Sequence, residues 1–205
     1  MRPIISPVIH MLNMNQVRAN INTCLSVGIN HVFIINHVTG VPELVNCTLK
    51  MREEFPDLWI GMNPLGYYHE QALSLDLDIN ALWIDETITT EERKFKGFVF
   101  GGLAFKYQKQ PKDIELACKE AIKFTDVACT SGPGTGKAPS IEKIKTLRHY
   151  LGDHPLAIAS GVSVDNVHLY AEYVDYLMVA SSITNQNEMI NVDKLYELYE
   201  KVLHL

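Results

Sequence analysis

The chain has 205 residues and carries 18 Lys and Arg against 24 Asp and Glu, a formal net charge of −6. That length can bury a substantial core, and the expectation is one domain over residues 1–205. The acidic balance, with no basic block anywhere, excludes nucleic acid as the main partner. Four widely spaced cysteines (Cys24, Cys47, Cys118, Cys129) without a C-x-x-C pair read as reduced thiols, not as a disulfide framework or a zinc knuckle. MRPIISPVIHML lacks the apolar centre and cleavage site of a signal peptide, and no apolar run reaches the length of a membrane span. The expected setting is therefore cytoplasmic, without membrane insertion.

Short apolar runs follow one another along the chain: PIISPVIH (3–10), HVFIIN (31–36), LWIGMN (58–63), ALWID (81–85), GFVFGGLAFK (97–106), DVACTS (126–131), LAIAS (156–160) and YLMVAS (176–181). Their continuous rather than alternating apolar character marks strands buried on both faces, as in a parallel sheet covered by helices. NQVRANINTCLSVG, VPELVNCTLKMREEF, YYHEQALSLDLD, KDIELACKEAIKF, SIEKIKTLRHYLG and VDNVHLYAEY between them can each form an amphipathic helix. The α/β pattern predicts a compact (β/α)8 TIM barrel. TITTEERKFK is too short for a full crossover helix, so the helix between strands four and five is reduced or missing. An open doubly wound sheet, with GPGTG at its switch point, is the alternative.

In a barrel the carboxyl ends of all strands face one mouth, where active sites are built. That rule gathers His10, Asn36, Asn63, Asp85, Lys106, Thr130, Ser160 and Ser181. Asp85 closes an apolar run and needs water or a cation beside it, and Lys106 on the next strand is the candidate. The pair, with Asn63 and His10, suits proton transfer. Alternation puts Gly102, Ala104 and Lys106 on one face, leaving room beneath the lysine, and sends Leu103 and Phe105 toward the helices. No metal-binding spacing occurs among the eight histidines, and neither a metal nor a cofactor is expected.

TSGPGTGKAP (130–139) looks like a nucleotide-binding loop, but Ser131 stands where the first Gly of a Walker motif belongs and Ala138 follows Lys137, so no hydroxyl is placed for magnesium. AIASGVSVDN and MVASSI instead place small residues and free N–H groups at the ends of strands seven and eight, the usual phosphate cradle of such barrels. Ser160, Gly161, Ser181 and Ser182 are the expected phosphate ligands. Thr130, Gly132, Thr135, Gly136 and Asn36 become walls of the ligand site.

TSGPGTGKAPSIEKIK, PLAIASGVSVDNV and VDYLMVASSI together resemble the BtpA-like family of TIM-barrel proteins. PIISPVIHML, GVPEL, IGMN and AFKY extend the likeness forward, matching His10, Asn63 and Lys106 to the ends of family strands. The chain departs from the family at Asn36, where an acidic residue is usual, at Gly102 and Ala104, which replace an Asp and a His, and at Ala159 and Ala180, which replace glycines. Its loops after strands one, two and four are short. The resemblance implies a shortened, divergent member of the BtpA-like family, which is grouped with the ribulose-phosphate-binding barrels and whose founding member is associated with photosystem I biogenesis.

Two functions follow as expectations. One is an enzyme acting on a phosphorylated sugar or ribosyl metabolite by isomerase- or lyase-type proton transfer. The other is a non-catalytic barrel serving as a ligand sensor or assembly factor. The expected partner is a small phosphorylated metabolite, and the sequence leaves a homo-oligomer open.

Overall fold

The computed structural model describes residues 2–205. Eight parallel strands close on themselves: β1 (Ile4–His10), β2 (His31–Ile35), β3 (Trp59–Asn63), β4 (Ala81–Ile84), β5 (Phe98–Gly102), β6 (Val127–Thr130), β7 (Leu156–Ile158) and β8 (Tyr176–Val179). The register of β1 on β8, from Ile4 opposite Tyr176 to Pro7 opposite Val179, closes the barrel and excludes the open doubly wound sheet.

Helices α1 (Met14–Ser26), α2 (Val41–Glu54), α3 (His69–Leu73), α4 (Ile114–Phe124), α5 (Ile141–Leu151) and α6 (Val192–Leu203) cover the outside. Local chemistry sets where they start. Asn13, Asp113, Ser140 and Asn191 each accept a bond from an amide in the first turn, at Gln16, Leu116, Lys143 and Lys194, which satisfies one of the donors a helix start leaves open. Pro42 opens α2, where its missing N–H costs nothing.

Three expectations need correction, and one helix is new. The segment after β7 forms only a 3-10 turn, Val167–Leu169, because Asn166 folds back on it, accepting from the Ser163 amide and donating to the Gly161 carbonyl. The helix after β3 is cut to five residues. Helix α6, unread in the sequence, covers the seam between β8 and β1 with Leu195, Leu198 and Val202 buried. The fifth strand stops at Gly102, since Ala104 turns to φ +47° and breaks the alternation. Phe105 therefore swings into the barrel against Trp83, 6.1 Å between ring centroids, instead of facing the helices. Between β4 and β5 no helix forms; Ile88 and Phe95, each 1% exposed, occupy the outer face where one would lie.

The barrel interior is filled by few, large rings. Phe33, Trp83, Phe100 and Phe105 meet edge to face, and Ala81, Cys129, Ala157 and Ala159 leave them room. Gly61 does the same from β3: a Cβ there would sit 2.4 Å from the Phe33 ring. At the amino-terminal end His31 stacks on Trp59 and bonds Ser6 Oγ through Nδ1 at 2.8 Å. Burial pushes the imidazole down to about 3, so it is neutral at any ordinary pH.

Gly61→Ala is expected to lower stability by ~1–3 kcal/mol through overpacking, a fall in melting temperature of roughly 3–10 °C for a chain of this size. Thermal denaturation of Gly61→Ala with and without Phe33→Leu checks the cause: the smaller side chain recovers part of the loss only if the Phe33 ring is what the methyl meets.

Candidate active site

The carboxyl ends of the strands form a mouth floored by Trp83, Ala159 and Met178. Asn63 is the last residue of β3 and is 2% exposed; its Nδ2 donates to Asp85 Oδ1 at 2.9 Å. Asp85 lies just past β4, and its carboxyl is raised above the usual range by burial. The Asn63 bond and the charges of Lys106 and His37 oppose that shift, and Glu86 adds to it. A close approach fixes this bend, because a Cβ at Gly102 would lie 1.8 Å from the Asp85 carbonyl oxygen. Gly102 thus serves backbone packing and opens no space under Lys106, whereas Ala104 lines a cavity together with the lysine.

Lys106 lines three cavities at the mouth: one with His10, Trp83 and the ends of β7 and β8, one with Asn63, Asp85 and Glu86, and one with Ser131 and Lys143. It makes no direct ion pair with Asp85 among the described residues. Asp85 is held by Asn63, and the ammonium lies 5.6 Å from the Phe105 ring centroid. Its backbone amide donates to Ser131 Oγ at 2.7 Å.

A residue that the sequence did not reveal sets that backbone. Lys143, in the first turn of α5, donates from Nζ to the carbonyls of Ala104 (2.6 Å) and Ser131 (2.7 Å), tying the loops after β5 and β6 together. Burial pushes this lysine down to about 8. His10, at the end of β1, pairs through Nδ1 with Glu188 at 3.3 Å and meets His37 edge on at 5.2 Å. Burial lowers its pKa, opposed by Glu188 and assisted by His37 and Lys106, so the imidazole presented to the cavity is neutral near pH 7.

The cavity between β7 and β8, about 300 Å³, is lined by Ser160, Gly161, Val162, Ser181 and Ser182, with Thr135 and Gly136 as its wall. None of the amides of Gly161, Val162, Ser181 and Ser182 donates to another group among the described residues. The Ser182 hydroxyl is buried without a partner as well. Gly161 has φ +68°, the left-handed backbone conformation that anion-binding nests use. Val162 was not anticipated, because a β-branched residue gives no sequence signal for a free amide.

Several anticipated residues do other work. Ser160 spends its hydroxyl proton on the Gly134 carbonyl at 2.9 Å, so it pins the Gly-rich turn and does not donate into the cavity. The space at Gly161 serves the same turn: a Cβ would come within 2.1 Å of the Ala138 amide nitrogen. Thr130 is fully buried and shares the helix-facing side of β6 with Ala128, so it is not a cavity wall. Asn36 is no wall either. Its amide group closes its own loop, accepting from Val38 and Thr39 and donating to Thr39 and Gly40. Gly132 lines the neighbouring cavity with Lys143, not the one between β7 and β8. Among the described residues no group of three His, Cys, Asp or Glu side chains could hold a metal ion, and no helix is long and apolar enough to cross a membrane.

Asp85→Asn is expected to raise the melting temperature at pH 7. The sign follows from the raised carboxyl: the native protein holds that proton more tightly than the unfolded chain does. The cost of Asp85 is thus absent below the unfolded carboxyl range, grows as pH rises through it, and is complete above the folded value. Melting curves from pH 3 to 8 test this; an advantage of the variant that does not shrink on acidification contradicts it.

No family model matches the chain, and no curated protein matches it. Solved structures do. Phosphoribosyl anthranilate isomerase from Thermus thermophilus superposes with a TM-score of 0.68 at 12% identity, covering 100% of this chain and 99% of its own. A structure described as native KDPGal gives 0.71 at 11% identity, covering 98% and 96%. KDPG aldolase from Legionella pneumophila, with pyruvate captured as a covalent carbinolamine, gives 0.65 at 12% identity, covering 99% and 94%. At these identities the likeness is one of fold, and the fold is the closed (β/α)8 barrel.

Proposed function

We propose that the chain is an enzyme for a small phosphorylated metabolite of the sugar or ribosyl kind, working by isomerase- or lyase-type proton transfer. One observation carries the reading: Gly161, Val162, Ser181 and Ser182, whose backbone amides have no partners among the described residues, line one cavity together with Lys106, which makes no ion pair among them. Fixed N–H donors bind an anion without the ordering cost of long side chains. Neighbours of the same fold named as an isomerase and as aldolases support the reading, as does the resemblance of the last third of the chain to the BtpA-like barrels.

With the phosphate between β7 and β8, the rest of the ligand extends across Trp83 toward Asp85. A carboxylate raised toward neutrality by burial is a stronger base than one in water, and the Asn63 bond fixes which oxygen faces the ligand. Asp85 takes the proton from a carbon next to a carbonyl. The Lys106 ammonium stabilises the enolate oxygen that forms, and return of the proton to the neighbouring carbon completes an isomerisation. In a lyase the same two groups act on a hydroxyl proton and on the enolate released by carbon–carbon cleavage. His10, neutral and held by Glu188, hydrogen-bonds the ligand between these ends.

A second reading, a ligand-binding barrel without turnover, draws on Asn36, whose side chain is wholly consumed in its own loop and so supplies no chemistry at the end of β2.

Calorimetry with ribose 5-phosphate tests the binding step. Lys106→Met is expected to weaken binding about tenfold, the loss of one charge-assisted contact, whereas the exposed Lys137→Ala changes it less than about twofold, being screened by solvent. Ala180→Val, which narrows the cavity, removes binding altogether. If Lys137→Ala abolishes binding and Ala180→Val does not, the anion sits on the Gly-rich turn. Turnover of any phosphorylated ligand that binds, lost in Asp85→Asn with binding retained, separates the enzyme from the silent barrel.

A further inference from the structure

The second mouth cavity, about 420 Å³, differs in character from the phosphate cavity it adjoins. Its walls include Tyr67, Tyr68, Trp83 and Tyr107, and its floor carries Asn63, Asp85 and Glu86. Trp83 and Lys106 line both cavities, so one ligand reaching past these two side chains enters both.

We propose that the phosphorylated ligand carries a planar, nitrogen-bearing ring, bound among these aromatic side chains, so that the substrate class is an N-linked ribosyl phosphate such as a nucleoside 5′-monophosphate. The inference rests on the phosphate assignment above. Three features support it. The aromatic faces are presented to solvent: Tyr68 is 67% exposed and Tyr107 79%. Exposed aromatic surface grouped around a cavity marks a binding face, and flat rings stack on such faces. Tyr107 adopts φ +62°, and its hydroxyl lies 3.4 Å from Thr135 Oγ1, on the wall of the phosphate cavity, so its ring stands between the two cavities.

Trp83 supplies the second feature. It is 5% exposed, and its indole N–H is buried with no partner in the described residues, a donor that an acceptor on a ligand satisfies. The third is charge. Two carboxylates border the ring cavity, and Glu86 uses Oε2 for both the His69 amide and the His69 ring, leaving Oε1 open. Such a floor accepts N–H donors or a positive ring and repels an acid.

Calorimetry with cytidine 5′-monophosphate, orotidine 5′-monophosphate, ribose 5-phosphate and inorganic phosphate tests the proposal. Cytidine 5′-monophosphate is expected to bind about tenfold or more tighter than ribose 5-phosphate. Tyr68→Ala, or Tyr107→Ala if the first variant does not fold, is expected to erase that excess and leave ribose 5-phosphate binding unchanged. Orotidine 5′-monophosphate, with a carboxylate on its ring, binds more weakly than the cytidine compound, and Glu86→Gln narrows the gap. Equal affinity for cytidine 5′-monophosphate and ribose 5-phosphate overturns the ring site while the phosphate site stands. Orotidine 5′-monophosphate binding as tightly as the cytidine compound overturns the selection by charge. Failure of all four probes overturns both assignments.

Discussion

A closed barrel must fill its own interior, and this chain does so with a Phe33 ring lodged in the space left by Gly61. Phe100, Trp83 and Phe105 stack upward from that ring, and the alanines of β4 and β7 are small because the rings are large. Close packing of this kind tolerates little change in volume. It also sets the depth of the mouth. Trp83 is the top of the plug and lines both mouth cavities, so the packing of the barrel and the shape of the mouth are one arrangement.

Above the plug, close backbone contacts hold the loops. Strand β5 runs beneath the Asp85 carbonyl at Gly102, and the Gly-rich turn rests on Gly161. Lys143 joins the loops after β5 and β6 through two carbonyls. These contacts surround groups that work against stability: a half-buried carboxylate at Asp85, and a Ser182 hydroxyl and a Trp83 indole N–H that are buried without partners among the described residues. Unsatisfied buried polar groups each cost on the order of 1–3 kcal/mol. They are tolerable in a site whose ligand supplies what they lack.

The barrel was legible because strands buried on both faces are apolar throughout, and the strand runs of the sequence lie within two residues of the observed ends except at β5. There the run GFVFGGLAFK hides a turn at Ala104, which no apolar pattern reports. Collecting the polar residues at strand ends brought His10, Asn63, Asp85 and Lys106 to one mouth, but it also gathered Thr130 and Asn36. Parity separates Thr130 from the rest: Val127 and Cys129 face inward, so Thr130 faces the helices. The same parity, applied to Ala81, would have marked Trp83. Lys143 was beyond reach, since its partners are carbonyls of two loops distant in the chain. Tyr107 was too, because its place depends on a positive φ.

The central claim is that backbone amides at the ends of β7 and β8 hold a phosphate. Titrating the ¹⁵N-labelled protein with inorganic phosphate and following its amide resonances tests it most directly. The account requires the largest saturable shifts at Gly161, Val162, Ser181 and Ser182, four amides that lack partners among the described residues. Saturation with those four resonances unmoved, and with the shifts centred on Gly136 and Lys137 or on the outer helices, would contradict it.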